Sequence, residues 1–265
     1  MRIRTFVAFP GLALLIALSC RVLPAQEPKV DLPKDVVPST FRMFVVTDNR
    51  FEPLKDDEGK PLVGPDGKSV PNPKNRTGKI HCLVCEYGLN PTVAMFVRPD
   101  VAALGGADGG VGKLIKQVNA LIPKYRADKL GAFAAFLRLD FDGKPGTKIV
   151  TVKVKQANGT EIEQKVEEYK EYPDEDDQKR DKYAESIRNF EKDLSVPNVP
   201  FGLAPEKSKT ISEWKIADTD EVTVILYHRM RIIGQPWRFA KAADVTDAKI
   251  AEIIKATEAE ITGKH

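Results

Sequence analysis

Apolar positions along this chain fall into short unbroken runs that alternate with stripes at helical spacing. Thr92-Val93-Ala94-Met95-Phe96-Val97 is a continuous apolar run, the pattern of a strand buried on both faces. After a glycine-rich stretch, Val111, Leu114, Ile115, Val118, Leu121 and Ile122 recur three and four residues apart, which predicts a helix. The pair then repeats: Gly131 to Leu139 reads as a second buried strand, and Tyr183, Ala184, Ile187, Phe190 and Leu194 stripe a second helix starting near Asp174. Val199 to Ala204 reads as a short third strand, and Thr210 to Trp214 as a helical turn. Glu221 to Tyr227 and Arg231 to Phe239 are β-rich runs close enough to form a hairpin, and a last helix is expected from about Thr246 to Ile261. Upstream, Phe41 to Thr47 is strand-like through its aromatic and β-branched content. Strands alternating with helices and ending in hairpin plus helix predict an α/β layered sheet.

Two segments interrupt that pattern. Asp48 to Lys79 is dense in Gly, Pro, Asn and Asp, with a tight turn at Gly64-Pro65-Asp66-Gly67, and reads as a surface excursion built around a small hairpin. The second is an insertion at about 145–172, in which Val150, Val152 and Val154 share one strand face and Ile162 and Val166 share the next. A two-residue Asn158-Gly159 turn would pair Val154 with Glu163. A three-residue loop, Ala157-Asn158-Gly159 with Gly159 left-handed, pairs Val154 with Ile162 and Val150 with Val166. The apolar positions match only in the second register, so the three-residue loop is expected, on a hairpin that projects from the domain into solvent.

The first 25 residues change the reading of charge. Arg2 and Arg4 precede a 14-residue apolar run, Phe6 to Ser19, and Leu23-Pro24-Ala25 closes it: the three parts of a cleaved secretory signal. The run falls short of the roughly 20 residues a spanning helix needs. Ala17-Leu18-Ser19-Cys20 makes Cys20 a candidate lipidation site, the alternative to cleavage after Ala25. Residues 26–39, with three prolines, read as an extended tether. Without Arg2, Arg4 and Arg21 the 41 Lys and Arg fall by three to 38, equal to the 38 Asp and Glu. A neutral chain with no basic block disfavours nucleic acid and anionic membrane surfaces as partners, so a protein or small-molecule partner in a secreted or periplasmic setting is expected.

Candidate chemistry is sparse. The run Gly105 to Lys113 lacks the phosphate-loop spacing, because Ala107 stands where the first glycine belongs and Leu114 where the hydroxyl belongs. It reads as a flexible strand-to-helix connection. His81-Cys82-Leu83-Val84-Cys85 is the informative cluster: a redox dithiol, half of a zinc site, or a local structural disulfide. Zinc would have to recruit His228 or His265, so no metal and no cofactor is expected. No cation or helix cap is evident beside the thiols in the sequence. Cys82 and Cys85 are thus either catalytic or an inert clip. His228 reads as a surface or packed histidine, and Trp214 and Trp237 as packing residues.

The order of elements over about 78–262 resembles the thioredoxin-like superfamily, closest to its redoxin branch of peroxiredoxins and exported thioredoxin-like domains. Thr77-Gly78-Lys79-Ile80 followed by Gly88 to Phe96 is similar to the lead-in to that branch's first core strand, and Ser212 to Ile216 before Glu221 to Tyr227 resembles its helix-to-strand passage. The resemblance implies a thioredoxin-like domain over 78–265, preceded by an N-terminal strand and loop over 40–77. It also implies a catalytic cysteine after the first core strand and a cis-proline before the third. Arg98 to Lys113 holds no cysteine, and the proline position is Val222. Fold and activity therefore part company. A non-catalytic binding or structural module of the envelope is expected, with a thiol-disulfide oxidoreductase using Cys82 and Cys85 as the alternative. If residues 86–91 run straight into the first core strand, the cysteines lie at its amino end, roughly 20 Å from the carboxyl edge where α/β active sites gather.

Overall fold

The computed structural model describes residues 41–65, 67–138, 146–155, 161–170, 177–206 and 209–263. The expected signal segment, Cys20, the tether and the turn at 157–159 lie outside the described residues.

A strand apolar on both sides needs cover on both faces, and the two most apolar runs receive it. Thr92–Val97 (β3) and Gly131–Arg138 (β4) are buried along their whole lengths and pair in parallel from Thr92↔Gly131 to Val97↔Phe136. Parallel pairing demands a crossover, supplied by Gly110–Lys124 (α2). A second crossover through Asp177–Leu194 (α3) brings Phe201–Pro205 (β7) parallel to β4 on its far side. Lys209–Glu213 (α4) then leads to Val222–His228 (β8), antiparallel to β3. The expected second hairpin run is broken by Gly234 at φ +67 into Arg231–Ile232 (β9) and Trp237–Phe239 (β10), both antiparallel to β8. Asp247–Thr262 (α5), capped by Thr246, closes the chain. Arg42–Thr47 (β1) adds antiparallel to β7, and Ile80–Cys82 (β2) adds antiparallel to β1, so the sheet order is β10-β8-β3-β4-β7-β1-β2. This is the thioredoxin-like layered sheet that the sequence resemblance implied.

The pleat divides the core in two. Val93, Met95, Val97, Ala134 and Phe136 point to the side where α2, α3 and α5 contribute Leu114, Ile187 and Ile250. Ala94, Phe96, Phe133, Ile225 and Tyr227 point to the other side, covered by Leu83 and Val84 of Leu83–Tyr87 (α1) and by Ile211 and Trp214. Side chains such as Phe96 and Phe133 are fully buried, each worth about 1.5–3 kcal/mol in removed apolar area.

The insertion is a separate two-stranded sheet of Gly146–Lys155 (β5) and Glu161–Lys170 (β6), in which Val154 faces Ile162 and Val150 faces Val166. That is the register of the three-residue loop. The excursion after β1 is more regular than a small hairpin. Asp56 N–H bonds Lys60 O and Gly59 N–H bonds Asp56 O; eight residues on, Gly64 N–H bonds Lys68 O and Gly67 N–H bonds Gly64 O. The bridges Lys55↔Pro61 and Val63↔Ser69 are related by the same step of eight. Leu54 N–H donates to Val70 O, Val70 N–H to Leu62 O and Leu62 N–H to Leu54 O, so three passes close a triangle of backbone bonds. The Asp48 amide donates to Thr77 Oγ1 at 2.9 Å, pinning the two ends together. No helix among the described residues is long and apolar enough to cross a membrane.

Candidate functional site

Cys82 is the last residue of β2, paired with Arg42, and it is also the N-cap of α1. That chain reversal puts Cys85 one turn on, with Cα atoms 5.3 Å apart, and the two sulfurs are joined as a disulfide. The Cys85 amide donates to Cys82 Sγ at 3.2 Å. Cys85 is exposed, whereas Cys82 is half-buried against the face that carries Phe41 and Leu83. The sequence showed no helix cap beside the thiols because a five-residue helix has too few positions to display a period.

The location expected for the pair needs correcting. Residues 83–87 do not run straight toward β3: they form α1, which lies over the sheet face opposite α2 and brings the Tyr87 ring onto Phe133 of β4, centroids 6.4 Å apart. The Cys82↔Arg42 pair lies two residues beyond Phe44↔Leu203, toward the carboxyl end of β7. Cys82 is therefore on the carboxyl side of the sheet, not at the amino end of β3. What separates it from the start of α2 is lateral, since β2 stands four strands from β3, about 19 Å at 4.8 Å per strand, and it is on the other face.

A polar network borders the disulfide. Asp48, whose side chain is fully buried, takes a forked pair of bonds from Arg50, Nε to Oδ1 at 2.7 Å and Nη2 to Oδ2 at 2.8 Å. Arg50 Nη1 also donates to Tyr87 Oη at 2.9 Å and pairs with Glu86 Oε1 at 2.9 Å. The other Glu86 oxygen meets His81 Nε2 at 2.6 Å and Arg76 Nε at 3.6 Å. Burial alone would lower the Arg50 pKa, but its hydrogen bonds to the Asp48 carboxylate and the surrounding negative charge carry it upward. Burial raises the Tyr87 phenol well above its usual value, against the opposing pull of Arg50. The network ties the excursion to the helix that carries Cys85.

At the carboxyl edge of β3 and β4, where the resemblance implied a cysteine, the chain places two arginines. Arg98 follows β3 directly, pairs with Glu206, and donates to the carbonyls of Ala217, at 2.7 Å, and Asp220. Arg138 ends β4 and donates to the carbonyls of Arg98 and Pro99 at 2.5 and 3.1 Å, with its guanidinium over the Tyr183 ring. Both side chains are nearly buried. The sequence signal for them was an arginine directly closing each of two buried runs, Val97-Arg98 and Leu137-Arg138.

The glycine-rich run joins β3 to α2 through closely packed backbone. Residues 101–104 and 106–108 are 3-10 turns, and a Cβ on Gly109 would stand 1.8 Å from Leu104 O, on Gly110 2.0 Å from Val245 O, and on Gly112 2.4 Å from Gly106 O. These glycines let backbone pack on backbone. Val222 pairs with Val97, and no peptide bond among the described residues is cis. His228 Nδ1 meets Glu260 Oε1 at 2.6 Å, and His265 lies outside the described residues. Trp214 is buried, and Trp237 donates to Glu252 at 2.8 Å.

No protein-family model matches the chain, and no curated protein matches it. Among solved structures it is similar to the bacterioferritin comigratory protein of Xanthomonas campestris, a protein with alkyl peroxide reduction activity, at 11% identity over 69% of this chain and 87% of that one, TM-score 0.38. It is similar to an uncharacterized conserved protein from Geobacillus kaustophilus at 12% identity over 86% and 81%, TM-score 0.43. A third is a secreted disulfide oxidoreductase of Mycobacterium tuberculosis at 7% identity over 66% and 90%, TM-score 0.33.

Proposed function

We propose that this chain is an exported thioredoxin-like module of the cell envelope that binds or organises a partner and performs no chemistry at the carboxyl edge of β3. One observation carries this reading: that edge is occupied by Arg98 and Arg138, both spent on carbonyls and Arg98 also on Glu206, and the connection to α2 is packed too closely at Gly109, Gly110 and Gly112 to admit a Cβ. Export rests on the tripartite start of the sequence. Peroxide consumption by the purified mature protein should be indistinguishable from the buffer control. Sustained peroxide turnover would overturn the reading.

A second reading is thiol-disulfide exchange at Cys82 and Cys85, favoured by a disulfide with one exposed sulfur and an amide bonded to the other. Insulin reduction separates the two. Turnover lost in Cys82→Ser establishes exchange, and its absence leaves the disulfide as a clip.

A further inference from the structure

We infer that the two sulfurs have fixed and different roles, Cys85 Sγ being the one an incoming thiolate attacks and Cys82 Sγ the one that leaves. The inference rests on the exchange reading above. Attack on a disulfide needs access to one sulfur and a stable thiolate on the other. Cys85 is exposed, while Cys82 is packed at the margin of the Phe41, Leu83 and Phe133 cluster, so access favours Cys85. Stabilisation favours Cys82 as leaving group, because the Cys85 amide already points at its sulfur from 3.2 Å, and a hydrogen bond strengthens as its acceptor gains charge.

The charges around Cys85 also permit approach. Glu86 would repel a thiolate arriving at its neighbour Cys85, but its carboxylate faces Arg50 at 2.9 Å, Arg76 at 3.6 Å and His81 at 2.6 Å. The charge beside Cys85 is compensated. The step balances: RS⁻ forms a bond to Cys85 Sγ, the Cys85–Cys82 bond breaks, and its electron pair stays on Cys82 as thiolate. A second RS⁻ then attacks the mixed disulfide, releasing RSSR and the Cys85 thiolate, so two thiols are oxidised and the protein disulfide is reduced.

The test treats the oxidised mature protein with 2-mercaptoethanol, quenches in acid, blocks free thiols with N-ethylmaleimide and maps both groups by mass spectrometry. Mercaptoethanol on Cys85 with maleimide on Cys82 should exceed the reverse by about tenfold or more. Equal or reversed labelling overturns the assignment while leaving exchange intact. A native disulfide that never opens, though it opens once denatured, overturns exchange and the assignment with it. The single-thiol variants give a second measurement, because the amide of residue 85 persists in Cys85→Ser. By ultraviolet thiolate absorbance, the Cys82 thiol there should ionise at lower pH than the Cys85 thiol in Cys82→Ser. The opposite order also overturns the assignment.

Discussion

The ring of Tyr87 lies so close over Gly131 that a Cβ on the glycine would stand 2.4 Å from Cδ1 of the ring. The contact fixes α1 on the sheet together with the bond from Tyr87 Oη to Ala132 O at 2.7 Å. Gly131→Ala is therefore expected to overpack this seam and cost about 1–3 kcal/mol, read as a lower denaturant midpoint at unchanged slope. A midpoint equal to wild type would show that the ring has room to move.

Alkaline pH should unfold the protein through two phenols. Burial raises the pKa of both Tyr87 and Tyr227 above the ordinary value of 10.0. A raised folded-state pKa means stability fully present below the unfolded value and lost as pH rises through the folded one. Stability should hold up to about pH 10 and fall steeply above it, with tyrosinate absorbance appearing together with loss of structure. In Tyr87→Phe the slope of stability against pH should shrink. A free-titrating phenol in the folded state would contradict the burial.

The arginines at the carboxyl edge are expected to act on stability alone. Arg98→Ala strands Glu206 and two carbonyls in a nearly buried site, and breaking such a pair costs about 3–5 kcal/mol. Thermal melting should report that loss. Arg98→Ala with Glu206→Ala together should recover part of it, and a double variant no more stable than the single would argue against the pairing.

Reducing the disulfide should also be felt in stability. Joining residues three apart closes a minimal loop, for which the chain-entropy estimate is about 2 kcal/mol. Melting with and without a phosphine reductant should differ by that order, and Cys85→Ser should abolish the difference.

How much of this was legible depended on element length. β3, β4 and β8 are long enough to stand out as apolar or β-rich runs and α2 to show a helical period, and the β5–β6 register follows from matching Val150 and Val154 to Val166 and Ile162. β2 and α1, three and five residues long, carry no period, so the turn that places Cys82 on the edge strand is invisible in the sequence, and chain spacing alone puts the pair at the amino end of β3. The network of Asp48, Arg50, Arg76 and Glu86 joins residues up to 38 positions apart through a segment of irregular backbone, which no local pattern announces. Loop glycines mislead for a related reason. Gly109, Gly110 and Gly112 look permissive in sequence, yet each is fixed by a backbone atom it meets.

The eight-residue step of the excursion bears on how such chains can diverge. With Asp48 and Thr77 joined at its base, the sheet does not sense how many passes lie between them, and lengthening a surface loop costs little closure entropy. Gain or loss of a whole pass keeps every Gly-Lys turn in phase with its neighbours, whereas a single inserted residue puts all later turns out of phase. Descendants of this segment should thus differ in length by whole multiples of eight, a ruler on which insertions are tolerated only at the marks.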